Sequence, residues 1–171
     1  RIANDAYDVV LYNLLRAFFH QRSSFPMQQP YTPFLRSATH VGLDGFFING
    51  TSGVWINDTV NWPLYNNEVP GAYKDTSGGW YDAGDNIKYV ITAAAALSDL
   101  MNAYEQFPDR FYDGQMNIPE SGNSLPDILD EVKWELDWLL KMQDTSDGFV
   151  YMKVGEANRA TSLTAPRYIL P

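Results

Sequence analysis

The chain has 171 residues, 45% of them hydrophobic, which is enough for the core of one domain and too many for a disordered polymer. Its net charge of −9, with no basic patch, sets nonspecific nucleic-acid binding aside, and the absence of cysteine removes disulfide scaffolds and thiolate metal sites. No apolar run approaches membrane-spanning length. Aromatic residues reach 15%, with eleven Tyr and five Trp, more than a core of this size absorbs, so some are expected to line a groove. The first residues show no secretory-signal pattern and read as a point inside a longer precursor.

Taken in order, residues 5–21 predict a helix, because Tyr7, Val10, Leu11, Leu14, Leu15, Phe18 and Phe19 recur at three- and four-residue steps. Asn4 or Asp5 can cap its start. His20-Gln21-Arg22 closes it, and these polar residues suit either capping or a site. A Pro-, Ser- and Gln-rich loop follows over 23–33. His40 near Asp44 fits a structural hydrogen-bond pair or a site residue. Residues 46–73 are long, irregular and aromatic, with Trp55, Trp62 and Tyr65, and read as a cleft wall or as plain loop packing. Asn49-Gly50-Thr51 and Asn57-Asp58-Thr59 match the glycosylation acceptor pattern.

The centre of the chain is Gly78-Gly79-Trp80-Tyr81-Asp82-Ala83-Gly84-Asp85-Asn86-Ile87-Lys88-Tyr89. Two carboxylates stand three residues apart on a glycine-containing turn ahead of an apolar, alanine-rich helix pattern at 87–104. Such turns serve as caps, but the adjoining Trp80 and Tyr81 also suit a sugar site, where rings stack on aromatic faces and acids handle the glycosidic oxygen. A third helix is expected after Ser124 as cap, with Pro126 and Asp127 in its first turn. Ile128, Leu129, Val132, Leu136, Leu139 and Leu140 form its expected apolar face. Asp130, Glu131, Lys133, Glu135, Asp137 and Lys141 form a face expected to be solvated. Asp144-Thr145-Ser146-Asp147-Gly148 is a turn that superficially suggests calcium but lacks a full loop's spacing. Residues 149–154 read as extended, and the chain after Gly155 as polar loop. The pattern predicts helical hairpins whose long loops gather at one end to make a cleft.

These motifs together resemble glycoside hydrolase family 9, many of whose members are cellulases. Residues 78–89 resemble its glycine-tryptophan-tyrosine-aspartate signature. Phe18-Phe19-His20-Gln21-Arg22, His40 with Asp44, Asn117-Ile118-Pro119-Glu120-Ser121-Gly122-Asn123, the run 125–136, Lys141-Met142-Gln143, 148–154 and Pro166-Arg167-Tyr168 follow in the family's order. The resemblance implies an all-α fold, an (α/α)6 toroid, of which residues 1–171 are the N-terminal portion. It implies inverting hydrolysis of β-1,4-linked glucan by a secreted, extracellular or periplasmic protein. Asp85 then corresponds to the general base and Asp82 to the partner that holds the water. Trp80, Tyr81 and His40 correspond to substrate-binding or cleft-supporting residues.

Inversion places base and acid on opposite faces of the sugar, with carboxyls roughly 6.5–9.5 Å apart. Asp82 and Asp85 share one turn, so the acid is expected elsewhere; in the family it is a glutamate far downstream. No cofactor is required for that chemistry, and a structural calcium is possible at an undefined place. The expected partners are a β-glucan and the C-terminal half of the same domain, without nucleic acid or a membrane span. Met152 and Asn86 depart from the family pattern, where histidine is common at the first position and histidine or tyrosine at the second, which leaves room for a glycan other than cellulose. A catalytically silent carbohydrate-binding protein on the same scaffold is the alternative.

Overall fold

The computed structural model describes residues 6–41, 45–48, 68–84, 86–156 and 167–170. Three helices carry it: α1 (Asp8–Gln21), α2 (Val90–Gln106) and α3 (Asp127–Lys141). They pack through stripes of three- and four-residue spacing. Leu15 and Phe19 of α1, Leu97 and Leu100 of α2, and Ile128 and Val132 of α3 enclose one core with Trp80, Met116 and Ile118. None of the described helices is long and apolar enough to cross a membrane.

The helix interiors agree with the periodicity, and the ends shift for local reasons. The first helix begins at Asp8, after Tyr7, without a side-chain cap. The second begins three residues later than its apolar pattern, because Lys88–Tyr89 forms a strand, β3, before the helix starts. The third begins at Asp127 rather than at a Ser124 cap. Ser124 adopts a left-handed backbone, φ 76°, and the Asp127 carboxylate instead accepts hydrogen bonds from Gly114 N, Met116 N and Ser121 Oγ. That interaction anchors the preceding loop to the helix.

A five-stranded sheet accompanies the helices, and only its strand at Lys153–Glu156 overlaps a stretch whose sequence reads as extended, residues 149–154. The strands are β1 (Gly45–Ile48), β2 (Glu68–Lys74), β3, β4 (Lys153–Glu156) and β5 (Arg167–Leu170), in the order β2-β1-β5-β4-β3. The β1–β5 pair is parallel and the other three are antiparallel. Strands thus flank what reads as one long loop over 46–73, and another lies in the polar stretch after Gly155. Pairing of Lys88 with Val154 and Tyr89 with Lys153 brings β4 to the start of α2. A second small core, Ala93, Trp138, Met142 and Val154, fills the junction of helices and sheet.

The faces of α3 are distributed differently from the expectation of one apolar and one solvated side. Asp130, Glu131 and Glu135 are buried, whereas Leu136 and Leu140 are exposed; Lys133 and Asp137 do lie in solvent. The reason is tertiary: Arg22 and Trp80 stand against that face and supply charge and donors (below). Exposed apolar residues also run along α1, where Tyr7, Val9, Val10 and Leu14 face outward, and include Ile91 of α2.

Candidate active site

The turn before α2 is built by two left-handed glycines, Gly78 at φ 87° and Gly79 at φ 72°. A Cβ on Gly79 would stand 2.6 Å from the Trp138 ring, so no larger residue fits without displacing the indole. This close approach seats the turn on α3. Lys88 Nζ donates to Gly78 O at 2.7 Å and to Thr76 O. Ser23 N and Trp134 Nε1 both donate to Gly79 O, at 2.7 and 3.2 Å.

Trp80 is held at two points by carboxylates one helical turn apart. Its indole Nε1 donates to Glu131 Oε1 at 2.7 Å, and its backbone N donates to Glu135 Oε2 at 2.6 Å. Arg22, wholly buried, sits behind them. Its NH2 lies 2.9 Å from Glu131 Oε2 and its NH1 3.0 Å from Glu120 Oε1, and its guanidinium stacks 4.5 Å from the Trp134 ring centroid. Burial opposes the Arg22 charge, but Glu131 and Glu120 outweigh it and hold its pKa above the ordinary value. Of the residues ending α1, Arg22 is thus the buried cation of the frame, while Gln21 lines the cavity described below.

Burial pushes the Glu135 carboxyl up to about 8, against the opposing pull of Lys88 and the Trp80 N–H. A raised folded-state value means that the folded chain keeps a proton that the unfolded chain has lost, so this stabilising contribution is full below about pH 4.5 and is lost as pH rises to about 8. The melting temperature of the full-length protein should accordingly decline across that window. In Glu135→Gln that part of the slope should disappear, as parallel thermal melts of the two proteins will show.

Beyond Trp80 the chain climbs to the surface. Tyr81 is buried, its N donating to Gln21 O at 2.8 Å and its hydroxyl 3.1 Å from Thr39 Oγ1. The guanidinium of Arg36 lies 5.5 Å from the Tyr81 ring centroid, and the buried His40 ring meets it edge-on at 6.2 Å. Asp82 is exposed. Its N donates to Ile87 O at 2.8 Å, and its Oδ1 accepts from Thr92 Oγ1 at 2.5 Å. A cavity of about 160 Å³ opens beside it, lined by Phe18, Gln21, Tyr81, Asp82, Tyr89 and Thr92 among others. Ala17 of α1 and Ala93 and Ala96 of α2 complete the lining, so the small residues of the alanine run leave room here.

Four of the five expected site residues are thus brought together: Asp82 at the surface, Trp80 and Tyr81 beneath it, and His40 against Tyr81. Trp80 and Tyr81 are only 6% and 3% exposed, so they form the bed of the site and border the cavity rather than offering open faces for stacking. The fifth, Asp85, lies outside the described residues. So do Asn4 and Asp5, Asp44, both glycosylation patterns, and Trp55, Trp62 and Tyr65 of the expected cleft wall.

Glu131, Glu135 and Lys88 were not anticipated. One signal was available: Glu131 and Glu135 fall on the same three-and-four spacing as Ile128, Trp138 and Met142, and so interrupt an apolar stripe rather than occupy the opposite side. No group of three or more His, Asp or Glu residues capable of holding a metal gathers among the described residues. At the turn that suggested calcium, Asp144 Oδ1 accepts from Ser146 N and Oγ, and Oδ2 accepts from the Tyr151 hydroxyl at 2.9 Å. The Ser146 bonds lower its pKa to about 2.

The model of glycosyl hydrolase family 9 matches residues 7–167. The chain belongs to this family. Its helices are accordingly part of an (α/α)6 toroid. The family 9 chain is 36% identical to a cellulose 1,4-beta-cellobiosidase of Acetivibrio thermocellus, over 99% of this chain and 21% of the relative. It is also 36% identical to a xyloglucan-specific endo-beta-1,4-glucanase of Bacteroides ovatus, over 82% of this chain and 22% of the relative. The solved structure of a metagenome-derived family 9 endoglucanase superposes with a TM-score of 0.79 at 36% identity, covering 96% of this chain and 28% of that one. The chain therefore spans about a fifth of the length of these sequence relatives.

Proposed function

We propose that this chain is the N-terminal part of the catalytic domain of a secreted inverting hydrolase of β-1,4-linked glucan. Asp85 acts as general base and Asp82 as the second holder of the water. The observation that carries the reading is the placement of Asp82: an exposed carboxylate at a cavity mouth, on a turn fixed from below by buried charge, in a chain of family 9. Relatives named for cellulose and xyloglucan cleavage support the substrate class.

In this reading Asp85 takes a proton from water, and the water oxygen forms a bond to the anomeric carbon on the face opposite the leaving sugar. The glycosidic C–O bond breaks, and the departing oxygen takes a proton from an acid supplied by the C-terminal part of the domain. Trp80, Tyr81 and His40 support the turn and its rim. The exposed faces of α1, α2 and α3, with Val10, Leu14, Ile91 and Leu140, are those the remaining helices would cover.

The test is the configuration of the first product. The full-length protein, given cello-oligosaccharides and xyloglucan, should release reducing ends that proton NMR shows as the α-anomer before mutarotation. A β-anomeric first product would remove the general-base role. Binding without any release would favour the silent carbohydrate-binding scaffold.

A further inference from the structure

We propose that Glu135 is a positioning residue for the acidic turn: its side-chain oxygen, by accepting the Trp80 N–H, fixes the peptide that leads to Asp82 and so sets the rate of the hydrolysis proposed above, on which this inference rests.

Glu135 is fully buried on α3, 55 residues from Trp80 in sequence, and its Oε2 stands 2.6 Å from the Trp80 nitrogen. Only Tyr81 separates Trp80 from Asp82. The Oε2 atom accepts the Trp80 N–H as a fixed oxygen, a part that an amide oxygen can take over and an alkyl side chain cannot. The opposite edge of the turn is gripped by Lys88, wholly buried, which donates to Gly78 O. The residue before Lys88, Ile87, accepts the Asp82 N–H. Glu135 and Lys88 therefore hold the turn from its two sides, and Glu131 takes the Trp80 indole.

A carboxylate in this setting is a poor choice for stability alone, because an apolar residue of similar volume commonly serves as well. What it supplies is direction. The Trp80 peptide plane is held to a side chain of a rigid helix, and a displacement of about 1 Å at a reacting group costs on the order of 100-fold in rate.

The experiment compares Glu135→Leu, Glu135→Asp and Glu135→Gln in the full-length protein. Leu removes the acceptor at similar volume, Asp withdraws it by one methylene, and Gln keeps an amide oxygen in reach. The expected result is a fall in kcat of about 10- to 100-fold for Leu and Asp with KM within about twofold, and recovery to within about threefold of wild type for Gln. Equal kcat in all three, a change in KM alone, or Gln no better than Leu would overturn the proposal. Should Leu fail to fold, the Asp–Gln contrast decides. Amide hydrogen exchange at Trp80 keeps this proposal separate from the hydrolase reading. If the wild type cleaves no β-glucan, that reading fails, and the positioning role then stands on exchange being slow in wild type and Gln but at least tenfold faster in Asp. Unchanged exchange in Asp would overturn it.

Discussion

Replacing Asp85 with Asn should lower turnover of β-1,4-glucan by about 10²- to 10⁴-fold while leaving affinity for an intact oligosaccharide within about twofold. Asn keeps the size of the side chain and can still hydrogen-bond water, but its amide accepts no proton at neutral pH. Inversion needs the base only as the water attacks, so the loss belongs to kcat and not to ground-state binding. Asp82→Asn should cost less, because its carboxylate already accepts the Thr92 hydroxyl, leaving it suited to holding water rather than to taking the proton. Initial rates on a soluble β-glucan, with calorimetric binding of an oligosaccharide to each variant, check the order. Turnover of Asp85→Asn within tenfold of wild type would end the general-base assignment.

Replacing Arg22 with Met should destabilise the full-length protein by about 3–5 kcal/mol. Arg22 has no solvent exposure and pairs with Glu131, itself 1% exposed, so the variant leaves a carboxylate buried without its cation. Met retains part of the packing against Phe19 and Trp134, so the loss reports charge more than volume. Denaturant midpoints measure the effect. Adding Glu131→Leu should return part of the loss, because the unpaired charge is then gone; the Trp80 indole still lacks its acceptor, so recovery is incomplete. A single variant as stable as wild type would show that the network contributes nothing to folding.

Local pattern made much of this protein legible. The stripe Leu11, Leu15, Phe19 and the run Ala93, Leu97, Leu100 announce helices from spacing alone, since a helix repeats within a few residues of itself. The acidic turn was visible because glycines beside aromatics and paired aspartates are uncommon together. Neighbouring residues could not announce the strand at Lys88–Tyr89, because its partner Lys153–Glu156 arrives much later in the chain and overrides the start of the helix.

Three helices, the position of the acidic turn and, through the order of its motifs, the family were legible in the chain's local pattern. Which side of α3 turns inward depends instead on contacts with distant parts of the chain. Glu131 and Glu135 fall on the spacing of Ile128, Trp138 and Met142, which exposed Asp137 does not, but no neighbour in the chain satisfies a buried carboxyl there. Arg22, 109 residues from Glu131, and Trp80, 55 residues from Glu135, do so. A charge is buried when distant groups satisfy it, and that satisfaction is a property of the folded arrangement rather than of any local stretch.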